Sequence, residues 1–147
     1  MLGCLMNNPE LLFNEKYPLS KKDFKPVDLH YVIYRSIAKL ASNGAGAITE
    51  IEIDNLVKNK PVEYEILQDS DWMGFVSTMK ELANPENYEL YYNTIRKFSL
   101  LRDMKDNGED IKRYYDELSS EEGQIENLNK FTIQDILDEV EIKANSY

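Results

Sequence analysis

The sequence of 147 residues contains one cysteine, Cys4, and one histidine, His30. A single thiol forms no disulfide framework, and one Cys with one His builds no zinc site. The same scarcity removes Cys/His nucleophilic pairs and a Ser-His-Asp triad, unless His30 serves alone. Apolar runs are short, and none approaches the ~18 residues that cross a bilayer. The opening stretch, Met1 to Phe13, lacks a basic n-region and carries Pro9 and Glu10, which is not the pattern of a secretory signal. No glycine is followed by lysine, so a Walker A phosphate loop is missing. Cations are outnumbered, 17 Lys+Arg against 27 Asp+Glu, for a net charge of −10. That balance weighs against a domain whose own task is to grip a phosphate backbone.

What is present is ordinary globular material: 42% hydrophobic and 30% charged residues, enough for one core. The composition predicts a soluble, cytoplasmic domain. Residues 1–7 read as the end of a helix begun upstream. Asn8 and Pro9 then restart a short one. Leu29, Ile33, Ile37, Leu40 and Ala41 recur at helical spacing, and Asn43-Gly44 is a stop signal. Thr49-Glu50-Ile51-Glu52 matches a capping box, predicting a helix to about Lys58. Pro61 starts another through Leu67. Trp72, Phe75, Val76, Met79, Leu82 and Ala83 form a further apolar stripe, on a helix opened near Ser70. Asn84-Pro85 ends it and opens the next.

From 85 to 118 the pattern is one long helix broken only by Gly108, whose interior position costs ~1 kcal/mol relative to alanine. Tyr88, Tyr91, Ile95 and Phe98 line its first half. Leu101, Met104, Gly108, Ile111, Tyr115 and Leu118 follow at 3-4-3-4-3, a short heptad seam. Residues 119–130, polar and acidic, read as a loop. Thr132 caps a return helix carrying Ile133, Ile136, Leu137 and Val140. No segment reads as a strand. The expected class is all-α, with a helical head over 1–84 and a helical hairpin over 85–147.

Charge is uneven along this layout. Residues 103–141 hold 13 acidic and 4 basic side chains. Such a face is either solvated surface that keeps a protruding element soluble, or a docking surface for a basic partner, or a source of repulsion that keeps nucleic acid away. Carboxylate pairs such as Glu109/Asp110 and Asp138/Glu139 point about 100° apart on a helix and do not converge on a metal. His30 reads as a packed, hydrogen-bonded core-edge residue, Cys4 as a buried small hydrophobe and Trp72 as core. Among ten tyrosines, Tyr114 and Tyr115 sit where a partner could reach them.

The order of several short motifs resembles the amino-terminal domain of DnaB-family replicative helicases. Leu2-Gly3-Cys4-Leu5 and Asn8-Pro9-Glu10-Leu11-Leu12 are similar to that family's opening. Asp23-Phe24, Pro26 and His30-Tyr31-Val32-Ile33-Tyr34 match its next signature. Ala38-Lys39-Leu40 with Gly44 falls where the family ends that helix. Asn87-Tyr88-Tyr91-Tyr92 and Ser99-Leu100-Leu101-Arg102 resemble its long-helix motif. The likeness covers about residues 2–118. It departs over residues 58–71, at Gly108, and in lacking the residues that normally precede Leu2.

The resemblance implies a head-plus-hairpin domain, six copies of which form a collar on a hexameric ring, dimerising through the hairpins. It implies no catalysis, metal or cofactor in this chain. ATP and Mg²⁺ would belong to a separate RecA-like motor of the parent. The implied partners are further copies of the chain, primase and a helicase loader, without tight DNA binding by this domain and without a membrane. Leu101, Met104, Ile111, Tyr114, Tyr115 and Leu118 are the candidate protein-interaction residues. The residue pattern leaves three alternatives: the helicase-binding carboxy-terminal domain of a primase, a free-standing acidic helical interaction protein, and a small helical enzyme.

Overall fold

A computed structural model describes residues 1–116 and 121–145. The described residues are helical with no strand, and fall into two compact units, 1–92 and 93–147.

The first unit begins with α1 (Leu2–Asn7), of which Leu2, Gly3, Cys4, Leu5 and Met6 are all buried. A helix apolar on every side must be surrounded, and α1 packs against both α2 (Asp28–Ser42) and α5 (Trp72–Leu82). Asn7 fastens it further, its Nδ2 donating to the Lys80 carbonyl at 3.1 Å. Full burial of each Leu or Met here is worth about 1.5–3 kcal/mol. Between α1 and α2 lie two 3₁₀ turns, Pro9–Phe13 and Lys21–Asp23. Buried Asp23 accepts the Ser20 N–H at 2.8 Å, and Phe24 stacks on Tyr34 with ring centres 4.4 Å apart.

The Asn43-Gly44 stop is realised in full. Gly44 adopts φ +87°, its N–H bonds to the Ala41 carbonyl and the Ala45 N–H to the Leu40 carbonyl. That is the Schellman arrangement, which consumes two orphan carbonyls. The loop then crosses α1, where the Ile48 N–H donates to the Met6 carbonyl at 2.8 Å. α3 (Glu50–Val57) and α4 (Pro61–Gln68) follow. Thr49 stands at the N-cap of α3, but its side chain makes no capping bond. α5 is capped by Asp71, and a 3₁₀ turn (Pro85–Asn87) by Asn84, whose Oδ1 accepts the Glu86 N–H at 3.1 Å.

α6 (Tyr88–Asp106) contributes Tyr88 and Tyr92 to the first unit. Both are buried and meet Tyr17 edge-on, at 5.5 and 5.2 Å. The Tyr92 hydroxyl donates to the Pro18 carbonyl at 3.1 Å. The division therefore falls at 92/93, inside α6, whereas the sequence pattern put the edge of the head at residue 84.

In the second unit α6 ends at Asp106 and does not run to 118. Gly108 has φ +84°, its N–H bonds to the Lys105 carbonyl, and the Glu109 N–H to that of Met104. This is the same Schellman exit as at Gly44, so Gly108 terminates a helix and does not bend one. A turn follows in which the Tyr114 and Tyr115 N–H groups both bond to the Ile111 carbonyl. α7 (Glu121–Asn129) occupies most of the stretch expected as a loop, and α8 (Ile133–Asn145) is the return helix. Thr132 and Asp135 cap α8 reciprocally, at 2.8 and 3.0 Å. The core of this unit is Leu101, Met104, Tyr114, Leu128 and Ile136.

Candidate functional site

The six nominated interaction residues separate in the structure. Leu101, Met104 and Tyr114 are 2%, 4% and 1% exposed. They are core, so they support a surface without presenting one. The helix that would have displayed Leu101 and Met104 on a seam stops at Asp106, and the chain folds back so that Tyr114 joins them in the core. Ile111 and Tyr115 are half-buried at the edge of that core. Leu118 lies outside the described residues.

Ile111 and Tyr115 share an open groove of about 440 Å³ with Phe98, Leu101 and the rim residues Arg102 and Lys105. Phe98 and Tyr115 meet edge to face at 5.3 Å. A neighbouring hollow of about 280 Å³ adds Glu109, Asp110 and Lys112 around the same two side chains. The result is an apolar floor ringed by charges of both signs, the composition of a small protein-contact patch. Asp110 accepts the Lys112 N–H at 2.9 Å, and Glu109 keeps one buried carboxylate oxygen without a hydrogen-bond partner among the described residues.

What fixes this patch is polar. Gln124, buried on α7, exchanges two hydrogen bonds with the backbone of Asp116: its Oε1 accepts the N–H at 2.6 Å and its Nε2 donates to the carbonyl. Asn127 Nδ2 donates to the Arg113 and Tyr114 carbonyls at 2.9 and 3.1 Å. Two carboxamides thus pin the 112–116 turn that carries Tyr115. Arg113 reaches Glu139 at 3.0 Å and lies over the rings of Tyr114 and Phe131, themselves edge to face at 4.8 Å. Buried Lys97 donates to the Leu128 carbonyl at 3.4 Å, near the end of α7, where a cation opposes the helix dipole. Burial lowers its pKa, and Asp135 acts in the opposite sense. A glutamine and an asparagine in a polar stretch give no sequence signal for such a role.

The special residues of the first unit have structural settings. Cys4 is buried, and burial raises its thiol pKa. His30 stacks nearly parallel on Phe75, ring centres 5.5 Å apart, and burial lowers its pKa. Ring stacking, in place of the expected hydrogen bond, is the contact the described residues give it. Trp72 is core. Among the described residues no group of three or more His, Cys, Asp or Glu side chains could hold a metal ion, and no helix is long and apolar enough to cross a membrane.

Fold and site together define an all-helical protein with a small apolar groove, ringed by charges, on its second unit. No family model and no solved structure matches the chain. It is 32% identical over 148 residues to the SPbeta prophage-derived uncharacterized protein YorI of Bacillus subtilis strain 168. The match takes in 97% of this chain and 29% of the length of that protein.

Proposed function

We propose that the chain is a non-catalytic collar domain of a hexameric replicative DNA helicase, of the DnaB amino-terminal kind. In this reading it joins subunits and recruits primase or a loader, while a RecA-like motor elsewhere in the parent binds ATP and Mg²⁺. The observation that carries the reading is where the motif residues lie. Gly3 and Cys4 are buried in α1, Asp23 and Phe24 fasten the approach to α2, and Tyr88 and Tyr92 close the aromatic cluster around Tyr17. Residues that share a family pattern and also build the fold are the ones a common architecture requires. The length of YorI outside the match leaves room for a motor in that relative.

The Ile111–Tyr115 groove is the contact surface in this reading, for a second copy or for primase. Its test is Ile111→Asn, assayed by sedimentation and by pull-down with the primase of the same replicon. The expected result is weakened association with helical content nearly unchanged. A wild-type chain that neither self-associates nor captures primase refutes the proposal.

A further inference from the structure

The first unit holds a cleft of about 80 Å³, floored by Val32 and Val57 and rimmed by Arg35, Lys39, Lys60 and Glu63. Arg35 and Lys39 lie one turn apart on α2, a like-charge spacing that is mildly unfavourable on its own. Lys60 faces them from the start of α4. All three cations are exposed, and none is ion-paired among the described residues. Arg35 has a ring contact instead, over Tyr31 at 5.7 Å. In a chain with ten more carboxylates than cations, three cations around one cleft form a concentrated positive spot.

The same chain contains the complement. Between 116 and 126 the sequence has Asp116, Glu117, Glu121, Glu122 and Glu126 and no lysine or arginine. We propose that the Arg35–Lys39–Lys60 cleft docks this acidic run of a second copy of the chain. Such a contact closes as a two-fold dimer where two copies make it reciprocally, and propagates into a ring or a filament where each pair makes it once. Close pairing of opposite charges acts within a Debye length, whereas repulsion between the net charges of two copies acts over longer distances and is largely screened. A nucleic acid is the poorer occupant. Its dense, regular charge extends the repulsion from a −10 protein, and Glu63 stands on the rim. The inference needs only two copies of this chain and does not rest on the collar reading.

Sedimentation velocity on the whole chain tests it with two charge-reversed variants, Arg35→Glu/Lys39→Glu and Glu121→Lys/Glu122→Lys. Wild type is expected to self-associate, and each variant alone to weaken this about tenfold or more, as high salt does. Mixed in equal amounts, the variants regain association, because each reversed surface then meets its opposite. Far-UV circular dichroism checks that both variants fold. Arg35→Gln/Lys39→Gln replaces the first if it does not, with a smaller loss expected. A monomeric wild type, a variant that associates like wild type, or a mixture that stays monomeric overturns the proposal. So does loss of single-stranded oligonucleotide binding in Arg35→Glu/Lys39→Glu with self-association unchanged, which makes the cleft a phosphate site.

Discussion

Gly3→Ala sets two known effects against each other, and the structure says which prevails. Alanine is the better helix former, by up to about 1 kcal/mol in a helix interior and less in a first turn. At Gly3, however, an added Cβ runs into the Met79 carbonyl group of α5. The obstacle is backbone inside a helix, so relief requires α1 and α5 to separate. Overpacking of this kind costs about 1–3 kcal/mol, and a backbone obstacle belongs at the upper end. The net expectation is a loss of about 2 kcal/mol, or roughly 10 °C in the melting temperature of a unit of this size. Gly74→Ala is the comparison: its Cβ meets the Asp71 carboxylate at 2.6 Å, a side chain that can swing away at the expense of its 3.4 Å capping bond from the Gly74 N–H, so a loss of no more than about 1 kcal/mol is expected. Thermal and urea unfolding followed by circular dichroism read both variants. A Gly3→Ala protein as stable as wild type, or more so, refutes the close approach of α1 to α5.

Gly108→Ala should destabilise by about 1 kcal/mol, because φ +84° is unfavourable for any L side chain; a gain in stability would favour the unbroken helix to 118. Gln124→Leu removes two hydrogen bonds to the Asp116 backbone, for a loss of about 2–4 kcal/mol and faster amide exchange over 112–116. Unchanged exchange counts against the pinning role. Tyr92→Phe should cost about 1 kcal/mol through its bond to Pro18, whereas Tyr88→Phe, whose hydroxyl has no partner among the described residues, should be neutral or stabilising. Burial pushes the Tyr88 hydroxyl from 10 up to about 12. Its contribution is therefore whole below pH 10 and is lost as pH rises to about 12, since the unfolded chain releases that proton first. Tyr88→Phe removes this component, and a wild-type-minus-variant difference that is flat across the interval disproves it.

Helix starts and the buried stripes were legible because caps and apolar spacing are local. Asn84, Thr132, Trp72 and Val76 act as the sequence indicates. Two failures have one source each. Asn43-Gly44 and Asn107-Gly108 are the same dipeptide in the same geometry, yet only the first was legible as an end. Beyond Gly108 the spacing of Ile111 and Tyr115 continues a heptad, and apolar spacing is blind to a glycine's φ. Those residues rejoin the core through a separate turn centred on the Ile111 carbonyl. The 121–129 helix was hidden because its inward face includes an amide, Gln124, beside Leu128. In the candidate site, Ile111 and Tyr115 were legible as amphipathic anchors. Burial of Leu101, Met104 and Tyr114 depended on where the chain turned back.

The paired glycine exits also bear on how this protein ages. In a loose chain, asparagine followed by glycine is the dipeptide most prone to lose its amide, because the next backbone nitrogen closes a five-membered imide on the side chain. At both exits that nitrogen is held by a helix carbonyl, Ala41 for Gly44 and Lys105 for Gly108. Slow conversion of Asn43 or Asn107 to an isoaspartyl linkage would thus act as a chemical clock, recording how often each helix end comes undone.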